Sequence, residues 1–173
     1  MKKILSFLAV IFITLTIKAQ EITWISFEEA IELNKKTPKL ILIDVYTDWC
    51  GWCKKLDKIT YKNNEVIKLI NENFYAVKLD GEEKEDITFK DHTFKYKEEG
   101  STKYNEFAAT IMGGKLSYPT TIILSPEEKL LDRIPGYLDE KTMEKILTFF
   151  YSEDYKIKNW VEFEKTFESN IKR

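Results

Sequence analysis

The chain has 173 residues, 43% of them hydrophobic, which is enough apolar material for one domain with a real core. Its 27 basic residues are balanced by 29 acidic ones with no basic block, which excludes the phosphate-binding surface that nucleic acids require. Two cysteines are too few for a disulfide-stapled scaffold.

Lys2 and Lys3 precede an apolar stretch from Ile4 to Ile17, broken only by Ser6, Thr14 and Thr16, and followed by Lys18-Ala19-Gln20. A basic start and about fourteen apolar residues have the layout of a secretory leader and are short for a bilayer span. Residues 1–19 are therefore predicted to be a signal peptide cleaved after Ala19, with an uncleaved anchor as the alternative. Residues 20–173 are then a single domain, keeping 24 basic against 29 acidic residues.

Ser26 and Glu29 form a capping box that opens a helix through Phe27, Ala30 and Ile31, closed off by Pro38. Residues 40–46 are almost all apolar apart from Asp44, as in a parallel strand covered on both faces. This run hands over to Trp49-Cys50-Gly51-Trp52-Cys53-Lys54, which contains both cysteines of the chain. Cys53, Leu56 and Thr60 fall at helical spacing, so the dithiol stands where a strand meets a helix, a placement that suits redox chemistry. Amides at a helix start lack intrahelical partners and carry the positive end of the macrodipole, so a thiolate at Cys50 is favoured there.

Asn63 or Asn64 restarts a helix with Val66, Ile67 and Ile70 on one face, and Phe74 to Leu79 is the next strand, stopped by Asp80-Gly81. From Glu82 to Lys103 the rhythm changes. Residues 87–90 and 93–96 flank Asp91-His92 as a short β-hairpin, with His92, the only histidine, as a turn residue. Tyr104 to Met112 is predicted helical, ended by Gly113-Gly114. Residues 121–124 and 129–134 are strands around the turn Ser125-Pro126-Glu127-Glu128. Asp139 caps a helix that buries Met143, Ile146, Leu147 and Phe150, and Trp160, Phe163, Phe167 and Ile171 form the stripe of a last amphipathic segment. The order predicts an α/β domain with one mixed sheet between helical layers.

Several separate positions resemble the thioredoxin family. Trp49-Cys50-Gly51-Trp52-Cys53-Lys54 is similar to its Trp-Cys-x-x-Cys-Lys active site, Asp44 to its buried acid, and Lys78 to the lysine near that acid. Tyr118-Pro119-Thr120 resembles the cis-proline loop, and Gly136 the glycine after the last strand pair. The resemblance covers about residues 23–152 and implies the thioredoxin fold, with a probe of difference at residues 82–103, which it marks as an insertion. Cys53-Lys54-Lys55-Leu56, Thr60 and Asn64-Glu65-Val66 look most like the exported branch that includes the C-terminal domain of the periplasmic electron-transfer protein DsbD. The proline that bends the helix after the second cysteine in typical thioredoxins is missing here.

The resemblance implies a thiol-disulfide oxidoreductase that needs no cofactor beyond its own Cys50–Cys53 disulfide. Cys50, at the exposed helix start, would attack a protein disulfide; Cys53, one turn in, would resolve the mixed disulfide, and Gly51 and Trp52 would tune the pair. With no histidine between the cysteines, the expected direction is reduction, in the periplasm, by a monomer recharged by a membrane electron donor. Desolvation on its apolar strand would raise the pKa of Asp44 and let it take the Cys53 proton, the alternative being an acid at a strand end that meets solvent. Lys78 would tune that acid or else sit on a solvated face. Pro119 is expected cis, keeping metals from the dithiol and presenting the Tyr118 backbone to an extended substrate, against an ordinary turn as the alternative. Trp49 and Trp52 would form an exposed apolar rim.

Three other readings stand beside this one. A disulfide isomerase of this fold would ordinarily carry a further dimerisation domain, for which the chain has no room. A non-catalytic peptide-binding or chaperone module would leave the cysteines incidental. Half a zinc site or an inert bridge would use them structurally, but zinc takes about four ligands and only His92 joins the acids as a candidate.

Overall fold

The computed structural model describes residues 21–172, so the signal peptide expected at 1–19 lies outside the described residues. Five strands form the main sheet: β1 (Trp24–Ile25), β2 (Leu40–Tyr46), β3 (Phe74–Asp80), β8 (Thr120–Leu124) and β9 (Leu130–Pro135), in the order β1-β3-β2-β8-β9. The first three run parallel, while β8 is antiparallel to β2 and β9 to β8. Between β3 and β8, two separate hairpins are built from β4 (Ile87–Phe89) with β5 (His92–Phe94) and β6 (Tyr96–Glu99) with β7 (Thr102–Asn105).

The helices are α1 (Phe27–Lys36), α2 (Gly51–Lys58), α3 (Asn64–Asn73), α4 (Glu106–Ile111), α5 (Glu140–Tyr151) and α6 (Trp160–Thr166). Alternation along β2 divides the core. Ile41, Ile43 and Val45 pack with Phe27, Ala30, Phe107 and Ala108 on the α1/α4 side. Leu42 faces the other way, into a second core with Leu56, Ile67, Ile70, Met143 and Leu147 from α2, α3 and α5. Asp44 points into that second layer, because it lies two residues from Leu42.

The polar residues that begin the helices explain where they begin. Ser26 Oγ accepts from the Glu29 amide, Asn63 Oδ1 from the Glu65 and Val66 amides, and Asp139 Oδ1 from the Thr142 amide. The full reciprocal capping box forms at the last helix, between Asn159 and Glu162.

Several predicted boundaries move, four of them for a visible reason. α2 stops at Lys58, and Thr60 opens a separate 3-10 turn with its hydroxyl bonded to the Leu138 carbonyl. The tip of the first hairpin is Lys90-Asp91, with Lys90 in the left-handed region at φ 56°, so His92 lies in β5 and stacks on Phe94. The second hairpin replaces the first part of the helix predicted from Tyr104. Asn105 ends β7 and starts α4, because its Oδ1 accepts from the Phe107 amide at 2.8 Å. Finally, the Ser125 amide donates to the Lys129 carbonyl, holding Lys129 in the turn and starting β9 at Leu130.

Asn105 is fully buried and is the rivet of the insertion. Besides capping α4, its Nδ2 donates to the Glu83 and Glu85 carbonyls, and its amide donates to the Gly81 carbonyl at 2.7 Å. Asn105→Ala removes the cap and the donor to the part-buried Glu83 and Glu85 carbonyls, a loss of about 1–2 kcal/mol. Urea unfolding should show that loss, and a change below about 0.5 kcal/mol would contradict this role.

Candidate active site

Cys50 and Cys53 are joined in a disulfide with S–S 2.04 Å. Cys50 is the N-cap of α2, and its Sγ accepts a hydrogen bond from the Cys53 amide at 3.0 Å. The strand before it ends in a bend at which the Cys50 amide donates to the Thr47 carbonyl, so the first sulfur is held over the open end of the helix. Cys50 is less exposed than a helix-start position suggests: 5% in this disulfide form, against 1% for Cys53. The flanking Trp49 and Trp52 are 65% and 57% exposed.

Each tryptophan is braced. Trp49 donates from Nε1 to Glu82 Oε1 at 2.9 Å and meets the Tyr118 ring edge-on with centroids 5.7 Å apart. Trp52 lies against Tyr137, and the Lys55 ammonium stands over both rings, 4.8 and 4.6 Å from their centroids. The Tyr118–Pro119 peptide is cis, and the Pro119 carbonyl accepts from the amide of Gly136, whose φ of +98° favours glycine. Gly81 is required for a different reason. A Cβ there would strike the ring of Tyr118.

Beneath α2, Asp44 is fully buried. The parallel register sets Lys78 beside it, and the Lys78 ammonium donates to Asp44 Oδ2 at 2.6 Å and to Asp57 Oδ1 at 2.5 Å. Asp57 comes from α2, one turn after Cys53, so one lysine ties strand to helix. The rings of Trp24, Tyr46 and Tyr61 surround its ammonium at 5.1, 4.9 and 5.4 Å. Burial lifts the Asp44 carboxyl from 3.8 to about 6; the Lys78 charge pulls it down, and the Asp57 charge adds a further rise. For Lys78, burial works against its charge, but the two carboxylates outweigh this and hold it above its ordinary value. Asp44 Oδ1, Tyr61 OH and Thr121 Oγ1 are buried with no hydrogen-bond partner among the described residues.

The structure thus gathers all nine positions singled out in the sequence at one end of the sheet, in two tiers. Gly51, Cys50, Trp49, Trp52, Tyr118 and Pro119 form the upper tier, and Cys53, Asp44 and Lys78 lie in or above the lower one. Glu82, Tyr137, Asp57 and Tyr61 join the site without having been expected there from the sequence, and Lys55, part of the quoted motif, takes a bracing role over two rings. Of these, Asp57 left a signal, since a position four residues after Cys53 shares its helix face. Among the described residues no group of three or more His, Cys, Asp or Glu side chains could hold a metal, and no helix is long and apolar enough to cross a membrane.

This sheet order, with a Cys-x-x-Cys pair at the start of the helix after β2, defines a thioredoxin-like disulfide oxidoreductase fold. Residues 12–161 match the family Thioredox_DsbH, described as a protein of unknown function, DUF255, and the chain belongs to that family. Spermatogenesis-associated protein 20 of Mus musculus is 37% identical over 60 residues, which make up 35% of this chain and 8% of that protein. The thiol:disulfide interchange protein DsbD of Pseudoalteromonas atlantica is 28% identical over 67 residues, 38% of this chain and 11% of that protein. The chain therefore spans only about a tenth of the length of these curated relatives. A thioredoxin-fold protein from Helicobacter pylori shares the fold, with a TM-score of 0.56, 20% identity, and coverage of 74% of this chain and 79% of that one.

The raised Asp44 value carries a stability consequence. A group whose folded pKa exceeds its unfolded one stabilises fully below the unfolded value, near 4, and loses that contribution as pH rises through the folded value, about 6. Asp44→Asn should therefore leave the stability of the disulfide form nearly unchanged at pH 4 and raise it by about 1–3 kcal/mol at pH 7.5. Denaturant unfolding at the two pH values measures this, and a difference that does not change with pH would contradict the buried-acid assignment.

Proposed function

We propose that this protein is an exported thiol-disulfide oxidoreductase that reduces disulfides in protein clients. The observation that carries the proposal is the Cys53 amide aimed at Cys50 Sγ at 3.0 Å from the first turn of α2. In the dithiol form that same donor, with the helix dipole behind it, stabilises negative charge on Cys50 more than on Cys53.

The Cys50 thiolate attacks one sulfur of a client disulfide, forming a mixed disulfide and releasing the other client sulfur as a thiolate. Cys53 then loses its proton to Asp44, whose Oδ1 has no hydrogen-bond partner among the described residues, and attacks Cys50 Sγ. The client leaves with both sulfurs reduced, and the two electrons have come from the Cys50–Cys53 dithiol. A membrane electron donor restores the dithiol. Lys78 tunes Asp44, while Trp49, Trp52 and the Tyr118-Pro119 backbone receive the client chain, and Gly51 leaves room at the sulfur because nothing lies within 4 Å of the Cβ position it lacks.

Export rests on the leader-like residues 1–19, and a periplasmic setting on the likeness to DsbD. The reducing direction rests on the Gly51-Trp52 dipeptide, which supplies no histidine to stabilise the thiolate further. The mature protein is expected to act as a monomer.

Equilibration with glutathione or dithiothreitol buffers tests both chemistry and direction. A reductant should show a potential nearer the about −270 mV of thioredoxin than the about −120 mV of a strong oxidant. Cys53→Ala should accumulate clients as mixed disulfides on Cys50, and Cys50→Ala should capture none. A pair that does not cycle between dithiol and disulfide contradicts the proposal.

A further inference from the structure

The β6/β7 hairpin is a two-stranded sheet, so among the described residues β7 has one edge with no strand beside it. Its loop is the pair Gly100-Ser101, with Gly100 at φ 63°, and such two-residue loops make the flanking residues, Glu99 and Thr102, the hydrogen-bonded pair. Backbone groups alternate in direction along an antiparallel ladder, so Lys103 and Asn105 turn their N–H and C=O away from β6. Asn105 shows where that edge points, because its amide reaches the Gly81 carbonyl, and Gly81 packs under the Tyr118 ring. The backbone N–H and C=O of Lys103, two residues earlier, face the same way and make no turn or loop bond among the described residues, while the Lys103 ammonium pairs with Glu98 at 3.9 Å.

What Lys103 faces is a groove. It is lined by Trp49, Glu82, Leu116 and Tyr118 together with the hairpin tip, so it shares Trp49, the residue before Cys50, and Tyr118 with the rim of the site. Leu116 is 36% exposed there, which adds to the open indole of Trp49 an apolar notch beside the cysteines. The rim carries one charge of each sign, Glu82 and Lys103, so it selects neither an acidic nor a basic ligand.

We propose that the outer edge of β7 is a second pairing edge for the client. An extended client segment lies between the Tyr118 loop and β7, bonds to the N–H and C=O of Lys103, and seats a bulky apolar residue next to its cysteine against Trp49, Leu116 and Tyr118. Backbone pairing is independent of sequence, so the insertion favours unfolded or locally extended clients with an apolar neighbour to the cysteine. This rests on Cys50 being the attacking sulfur.

The probe is a synthetic octapeptide with a leucine before its single cysteine, which is linked as a disulfide to thionitrobenzoate. In the Cys53→Ala protein, Cys50 attacks the peptide sulfur, forming a mixed disulfide and releasing coloured thionitrobenzoate anion. Hydrogen exchange at the Lys103 amide, followed by NMR, should slow at least about tenfold in the trapped complex, as a newly paired amide does. Lys103→Pro removes that amide without breaking a ladder bond, and should lower the trapping rate of the octapeptide about fivefold relative to that of free cysteine carrying the same thionitrobenzoate group. Trapping with unchanged Lys103 exchange, or an unchanged rate ratio in a folded Lys103→Pro protein, overturns this inference alone. Failure to release thionitrobenzoate from either probe overturns the underlying reading of Cys50.

Discussion

The hydrogen bond from the Cys53 amide to Cys50 Sγ governs the chemistry available at this end of the sheet. It exists because α2 starts at Cys50, directly after a strand whose apolar residues fix it between two cores. The two sulfurs consequently meet different surroundings. One lies at a helix mouth where amides seek an acceptor; the other is buried in the first turn of the helix, beneath which the buried Asp44 is reluctant to ionise. In the proposed mechanism this asymmetry assigns attack to Cys50 and resolution to Cys53.

The lower tier is an electrostatic compromise. One ammonium serves two carboxylates, and the aromatic rings that enclose it limit its contact with water. Burial sets the direction for Asp44, raising its carboxyl to about 6; the shared Lys78 opposes that rise, and the Asp57 charge adds to it. The upper tier is organised by packing instead. Glu82, Tyr118, Tyr137 and Lys55 each hold an exposed indole in place, so the rim presents rigid apolar faces.

Much of this was legible in the sequence, for identifiable reasons. β2 announces itself as an apolar run, three helices by Ser26, Asn63 and Asp139 at their starts, and the dithiol by its place between strand and helix. The insertion was not readable in the same way. Its second hairpin runs Tyr-Lys-Glu-Glu and Thr-Lys-Tyr-Asn, charged on both faces, so no apolar alternation marks it, and its buried fixings are backbone bonds around Asn105. The braces of the site were hidden for another reason. Glu82 and Tyr137 reach the tryptophans only through the tertiary fold, across 33 residues in one case and 85 in the other, and no local pattern encodes such contacts.

The central claim is that the fold keeps Cys50, and not Cys53, ready as a thiolate near neutral pH. Alkylation of the fully reduced protein with iodoacetamide at pH 7, with the modified residue located by mass spectrometry, tests this most directly. The account predicts that Cys50 reacts about tenfold or more faster than a cysteine in the unfolded chain while Cys53 stays unmodified. Equal rates for Cys50 in the folded and unfolded chain, or faster modification of Cys53, would contradict it.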